Sequence, residues 1–348
     1  MGVRDKEGYE LLRAEGIRLG EHPYDFYTLE TAEDVTAIHE FLKGHRDSTG
    51  RSACMGMNFV MANLDFEKIS QGGLKDISLM PLTDGLPGNW KREGLFEAYR
   101  SGIKDGVFFP SLHGLTHFCQ IAVEHALAKD NSQSHLLRTL WRAETPYIYW
   151  RMPWVGYEYN NPEKPRQGFL SAESQSNAIK DAAAIFKKLF SCPAYSACAP
   201  GYRANSDTHR VWAEHGIHVV QNGSGSPLPP HMDDYEMLHL HRTIDIEPSQ
   251  RDLPVEKYVQ LAESCFARGV PAIISVHAIN FHSSLKDFRG PTLSLLDEFL
   301  TALEKKFPNL LYVHDLDAYD IVNRGKFRST RGTVSVTVQS LDTGELSK

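Results

Sequence analysis

The segment His113-Gly-Leu-Thr-His117 places two imidazoles four residues apart, directly after the apolar stretch Val107 to Leu112. Neutral imidazole is the commonest transition-metal ligand, and two rings on one short stretch reduce the ordering cost of binding. They face one way if the backbone turns helically after the strand. The chain has 16 histidines, so the spacing also arises by chance, and two hydrogen-bonded or surface histidines are the plain alternative. His277 closes a second apolar stretch, Ala272-Ile-Ile-Ser-Val-His277. A histidine at a strand end can protonate a leaving group near neutral pH. The alternative is a core histidine bonded to a backbone carbonyl. Asn280 and His282 follow in the same loop and could contact substrate.

Two further segments carry candidate chemistry. Ala199-Pro-Gly-Tyr-Arg203 offers a tight turn, an aromatic ring and a fixed positive charge. Arg203 could orient a carboxylate or a substrate oxygen. Tyr202 could stack on a sugar ring, and its amide could stabilise an oxyanion. Arg242-Thr-Ile-Asp-Ile-Glu-Pro248 follows a strand through His239 and His241, whose flanking leucines point to packing. Glu247, held extended before Pro248, could support a catalytic group or bind substrate. Trp150, Trp154, Tyr157 and Tyr159 could form sugar-stacking walls, or equally core packing or a lid.

Those residues need strands to carry them. Strand-like and helical stretches alternate along the chain, which is the α/β pattern. Strands are expected over Ser52–Ala62, Val107–Leu112, Ala194–Ala199, Ile217–Gln221, Met237–Thr243, Ala272–His277 and Leu310–Val313. Helices are expected from Thr31, where a capping side chain precedes an acidic turn, and over Glu93–Lys104, Thr116–Ala128, Ala172–Phe190, Asp207–Glu214, Pro254–Arg268, Pro291–Lys306 and Asp317–Asn323. About seven strands, most followed by helices, suit a distorted (β/α)7-type barrel. An open doubly wound sheet is the rival, but no glycine-rich phosphate loop favours it. The barrel domain is expected over residues 1–325. Residues 326–348 form a tail with a peripheral strand, because Val334, Val336 and Val338 alternate.

Composition narrows the partners. The 348 residues include 37 basic and 44 acidic side chains, for a net charge of −7. That argues against a nucleic-acid or anionic-membrane surface. No apolar run is long enough to span a bilayer. The polar start Met1-Gly-Val-Arg-Asp-Lys-Glu is not a signal peptide, and five cysteines in no zinc pattern read as reduced thiols, so a cytoplasmic location is expected.

Taken together, the order of these pieces resembles the polysaccharide deacetylases, the NodB-like carbohydrate esterase superfamily. His113-Gly-Leu-Thr-His117 is similar to the family's metal-binding H-[ST]-x-x-H motif, with Gly114 where Ser or Thr is usual. Ala199-Pro-Gly-Tyr-Arg203 is similar to its arginine–proline–aromatic motif, with the arginine displaced. Ile274-Ser-Val-His277 is similar to the strand carrying its general-acid histidine. Glu30-Thr-Ala-Glu-Asp34, Phe59-Val-Met-Ala-Asn-Leu-Asp-Phe66, Phe109-Pro-Ser-Leu-His-Gly114 and Ile246-Glu-Pro-Ser249 resemble a bacterial branch of that superfamily.

The resemblance implies a hydrolase that removes acyl groups from an N- or O-acylated carbohydrate, small or oligomeric. A divalent metal, zinc first, would sit on His113 and His117. His277 would be the general acid, with Arg203 and Glu247 in catalytic support and Tyr202, Asn280 and Trp154 at the substrate. In that branch an Asp-Asp or Ser-Asp motif followed by Trp-Gly closes the first strand. Met1-Gly2-Val3-Arg4 is expected to begin just after it, so the base and third-ligand aspartates, and with them the first barrel strand, are expected to be missing. Asp5, Asp65, Glu158 or Glu247 could substitute. A relative that binds carbohydrate without turnover is the second reading. A glycoside hydrolase using Glu158 and Glu247, insensitive to chelators, is the third.

Overall fold

The computed structural model describes residues 2–149, 151–163, 168–223, 229–329 and 332–336. Its helices are α1 Lys6–Ala14, α2 Ala32–Gly44, α3 Phe66–Gln71, α4 Leu95–Lys104, α5 Gln120–Leu127, α6 Ser132–Arg142, α7 Ala172–Phe190, α8 Ser206–Glu214, α9 Val255–Ala267, α10 Arg289–Lys306 and α11 Asp315–Arg324. Its strands are β1 Met55–Phe59, β2 Ala62–Leu64, β3 Leu79–Pro81, β4 Phe108–Leu112, β5 Ser196–Cys198, β6 Val219–Asn222, β7 His231–Met232, β8 Leu238–His241, β9 Ile244–Asp245, β10 Ile274–Ser275, β11 Lys326–Ser329 and β12 Gly332–Ser335.

Local chemistry accounts for several of these elements. Thr31 and Asp34 cap α2 reciprocally: the Thr31 hydroxyl accepts the Asp34 amide, and the Asp34 carboxylate accepts the Thr31 amide. The small and apolar residues of α7 recur at helical spacing, and Ile179, Ala182 and Phe186 are buried against the sheet side.

The main sheet has the order β1-β4-β5-β6-β8-β7, parallel throughout except for β7. A parallel ladder of this kind needs helices on its outer side, and α2, α4, α7 and α8 supply buried apolar faces there. The sheet is strongly curved. Asn58 on β1 donates to Gln221 on β6 across 2.9 Å, although two strands lie between them. In a flat sheet those strands would stand about 14 Å apart. Gln221 also donates to Ser111, Ser196 and Asp315 inside this curve, at 3.2, 3.0 and 2.7 Å.

The described strands do not close into a barrel. β9 and β10 form a separate two-stranded parallel pair. Leu310–Val313 is not a strand: the Leu310 carbonyl accepts Ser48, and the Tyr312 amide donates to the Asp47 carboxylate. Those loop and side-chain bonds take the place of a ladder. The apolar stretch Ala272–His277 is strand only at Ile274–Ser275, where it meets the equally short β9. In the tail, β12 pairs antiparallel with β11 and carries Val334, whereas Val338 lies outside the described residues.

Close approach of α4 to β4 depends on Gly102, where a Cβ would collide with the Phe108 ring. Gly102→Ala, normally a gain in helix propensity, should therefore destabilise the fold by about 1–3 kcal/mol. Urea denaturation measures this, and a variant as stable as the parent would contradict the packing.

Candidate functional site

The two motif histidines meet through a turn, not a helix. After β4 the His113 amide donates to the Phe59 carbonyl of β1, and Gly114 takes φ +80°. Leu115 and Thr116 then donate their amides to one carboxyl oxygen of Glu158, at 2.8 and 2.7 Å. A Cβ on Gly114 would collide with the other oxygen. Glycine is therefore required where the resembled motif has Ser or Thr, both for the left-handed backbone and for the space. Helix α5 begins only at Gln120, because Phe118 pairs with Val155 and the Gly156 amide donates to the His117 carbonyl at 2.7 Å. The result places the His113 and His117 rings 5.0 Å apart.

His113 Nδ1 is bonded to the Cys198 carbonyl at 2.9 Å, which makes Nδ1 the protonated nitrogen and leaves Nε2 a free lone pair. Burial holds the His113 pKa down to about 4, and the charges of His277 and Arg242 add to this. Burial also holds His117 well below its ordinary value, reinforced by His113 and His277, and its Nδ1 is buried without a hydrogen-bond partner. Two neutral rings with free lone pairs, one on an orphaned buried nitrogen, fit a divalent cation. Among the described residues, no third His, Cys, Asp or Glu atom joins both rings within 4.8 Å. Asp5 caps α1 and pairs with Arg4, and Asp65 caps α3 and pairs with Lys68.

His277 follows β10 and is 46% exposed in its side chain, while its Nδ1 is paired with Oε1 of the buried Glu247. The opposite nitrogen, Nε2, is left to face outward. Asn280 completes the arrangement from below: its Nδ2 donates to Glu247 Oε2 at 2.7 Å and to the His277 carbonyl at 3.0 Å, and its Oδ1 accepts the Ser249 amide. Asn280 is fully buried and so orients Glu247 without touching substrate. His282 is also buried, between Tyr27 and Phe288.

Several other expectations are redirected by packing. Trp154 is 2% exposed within the core formed with Cys119, Leu140 and Ile148, so it cannot stack on a sugar. Tyr159 is buried edge-on against Trp212. Trp150 lies outside the described residues. Arg203 donates to the Gly156 and Gly201 carbonyls at 2.9 and 3.2 Å and lies 3.7 Å over the Tyr157 ring. Through Gly156 it anchors the His117 turn, with Nη1 committed to backbone carbonyls. The Tyr202 amide donates to Ala199, so it is not an oxyanion donor, although the ring remains partly exposed. Glu158 and Glu247 are both buried and bonded to protein groups, which removes them as a glycosidase pair.

Two features escaped the sequence. Arg242 leaves β8, stacks 4.3 Å over Tyr202, bonds the Ser275 hydroxyl and contributes to the low pKa of His113. Its signal was a charged residue running straight on from a buried strand. A tyrosine group also lies by the histidines: Tyr147 is near-parallel to His117 at 6.3 Å, and Tyr24 and Tyr149 rings are 4.7 Å apart. The Tyr24 hydroxyl is pushed up by burial and by the charge of Glu247. No local spacing joins Tyr24 to Tyr149, so periodicity had nothing to detect.

No family model matches the chain, and no curated protein matches it. Among solved structures it is similar to the Puue allantoinase, at 12% identity and TM-score 0.39, covering 66% of this chain and 64% of that one. A Mycobacterium smegmatis protein described as a polysaccharide deacetylase is similar at 12% identity and TM-score 0.44, over 92% and 87% of the two chains. The GH57-type branching enzyme of the archaeon Pyrococcus horikoshii is similar at 9% identity and TM-score 0.45, over 91% and 68%. None of these similarities assigns an activity to the chain. No helix among the described residues is long and apolar enough to cross a membrane.

The role of Glu158 has a pH signature. Burial raises its pKa to about 8, so the folded state holds a proton that the unfolded chain releases near 4.5. Its contribution to stability is complete below the unfolded value and is lost as pH rises through 4.5 to about 8. Glu158→Gln keeps an acceptor for both amides but does not titrate. Its stability relative to the parent should therefore rise between pH 5 and pH 9 in urea denaturation. A difference that stays flat with pH would contradict a buried, protonated Glu158.

Proposed function

We propose that the protein is a hydrolase that removes acyl groups from an N- or O-acylated carbohydrate, with residues 1–325 as the working unit. The observation that carries this reading is the His277–Glu247–Asn280 arrangement: an exposed imidazole backed by a buried carboxylate that is itself held by a buried amide. The carboxylate fixes the proton on Nδ1 and stabilises the imidazolium that forms when Nε2 accepts another. His277 takes the proton of the attacking water at Nε2 as the new C–O bond forms. It returns the proton to the leaving nitrogen or oxygen as the C–N or C–O bond breaks, giving a carboxylic acid, which then loses its remaining proton to water, and a free amine or alcohol. His113 and His117 would hold Zn2+, the borderline cation a histidine pair favours, which when bound polarises an acyl carbonyl and acidifies water. Arg242 contributes fixed positive charge beside His113, Tyr202 presents its partly exposed ring, and Tyr24, Tyr147 and Tyr149 offer apolar faces with polar tips suited to a sugar. Arg203 positions the His117 turn.

Carbohydrate binding without turnover is favoured by one observation, the lack of a third ligand carboxylate beside His113 and His117 among the described residues. Acetate release from chitooligosaccharides and O-acetylated xylan, measured with zinc or cobalt added, separates the two. Hydrolysis should lose roughly 10²- to 10⁴-fold in kcat in His277→Ala and Glu247→Gln. No acetate from either substrate, with the same sugars binding, would establish the non-catalytic reading.

The histidine pair has its own test. Chelator treatment should abolish hydrolysis, and His113→Ala or His117→Ala should weaken zinc-dependent activation by at least about tenfold. Activity indifferent to chelators in the parent would remove the pair from the reaction.

A further inference from the structure

A second group of metal-ligating side chains lies between α8 and the β7–β8 turn. His209, Asp233 and His239 place one ligand atom each within 4.8 Å of one another. The two oxygens of Asp233 have separate roles. Oδ1 accepts the amides of Tyr235 and Met237, both at 2.9 Å, which fixes the plane of the carboxylate. Oδ2 faces His239 Nε2 at 3.1 Å and His209 Nδ1 at 3.9 Å. The longer distance is beyond a hydrogen bond, but the two bracket the spacing of about 3.3–3.5 Å between neighbouring ligands around a tetrahedral zinc.

The rest of the surroundings hold these ligands in place. His209 lies near-parallel to Trp212 at 5.8 Å and edge-on to His239 at 5.0 Å. His239 Nδ1 is 3.3 Å from the Asn222 side-chain amide. The same amide nitrogen donates to the Val220 and Leu240 carbonyls, so Nδ1 accepts from it and Nε2 carries the proton aimed at Asp233, which a bound cation would displace. His231 stacks on His239 at 5.0 Å, and the buried His241 Nε2 on the same strand face has no hydrogen-bond partner. Burial and the neighbouring His239 hold His209 below its ordinary pKa. Burial would raise Asp233, but the Met237 and Tyr235 amides and His239 outweigh it and keep the carboxylate ionised.

We propose that His209, Asp233 and His239 form a binding site for Zn2+ or a cation of its borderline class, separate from the His113–His117 pair. Two imidazoles and one carboxylate favour such ions over calcium or magnesium and leave one position for water. The site ties α8 to the sheet edge, where β7 contributes only two residues.

The full chain carrying His113→Ala and His117→Ala isolates this site from the pair. After stripping with chelator, it is titrated with zinc by calorimetry and melted with and without zinc. One zinc per chain and a higher melting temperature with zinc are expected. Adding Asp233→Asn, which keeps side-chain shape, or His209→Asn, which removes the ring, should weaken binding by at least about tenfold and remove the thermal shift. Far-ultraviolet circular dichroism of the zinc-free variants checks that both remain folded. No zinc uptake by the His113→Ala/His117→Ala chain, or uptake unchanged by both added substitutions in folded protein, would overturn the proposal.

Discussion

The Glu158 carboxyl, bonded to the backbone amides of Leu115 and Thr116, is the contact on which the arrangement of the site depends. It joins the aromatic loop before α7 to the end of β4. A free turn of five residues could point its two histidines anywhere. With two amides gathered on one buried oxygen and Gly114 in the left-handed region, the His113 and His117 rings are fixed 5.0 Å apart. Burial raises the Glu158 pKa to about 8, which favours the neutral form, while Oε1 accepts both amides. The same loop is tied down again by Arg203 on Gly156 and by Gly156 on His117.

Both sides of the site share one feature: the reactive imidazole is backed by a buried polar group. His277 is exposed, Glu247 behind it is buried, and Asn280 behind Glu247 is buried completely. His113 is backed by the Cys198 carbonyl of β5. Glu247, Asn280 and His113 Nδ1 each find a fixed partner, which limits the cost of burial and sets the direction of the group in front. His117 Nδ1 and Glu158 Oε2 are buried without a partner, and an unpaired ring nitrogen is available to a ligand.

The sequence was most informative where the determining interactions are local. The bounds of α7 agree with the periodicity, and the Thr31–Asp34 cap is a matter of three residues. The β4 strand and the histidines after it were also legible. Long-range packing decided the rest. A glycine inside a motif gives no sign of a carboxyl more than forty residues away, so the turn at His113 was read as helical. Arg203, Asn280 and Trp154 have side chains suited to a substrate, yet their partners are backbone carbonyls, a buried glutamate and the core. Arg242, in the same segment as Glu247, gives little local sign of its role, which comes from Tyr202, Ser275 and His113 on other elements. Curvature is likewise invisible in any one strand; it shows only in contacts such as Asn58 to Gln221.

On the proposed function, the imidazoles of His113, His117 and His277 serve one opening of the fold. A crystal structure of the full chain grown with zinc, with anomalous maps collected at the zinc edge, addresses it directly. An anomalous peak within bonding distance of both His113 and His117 is expected, with the Nε2 side of His277 facing the same opening. No peak between the two rings, or a His277 imidazole directed into a different part of the surface, would contradict it.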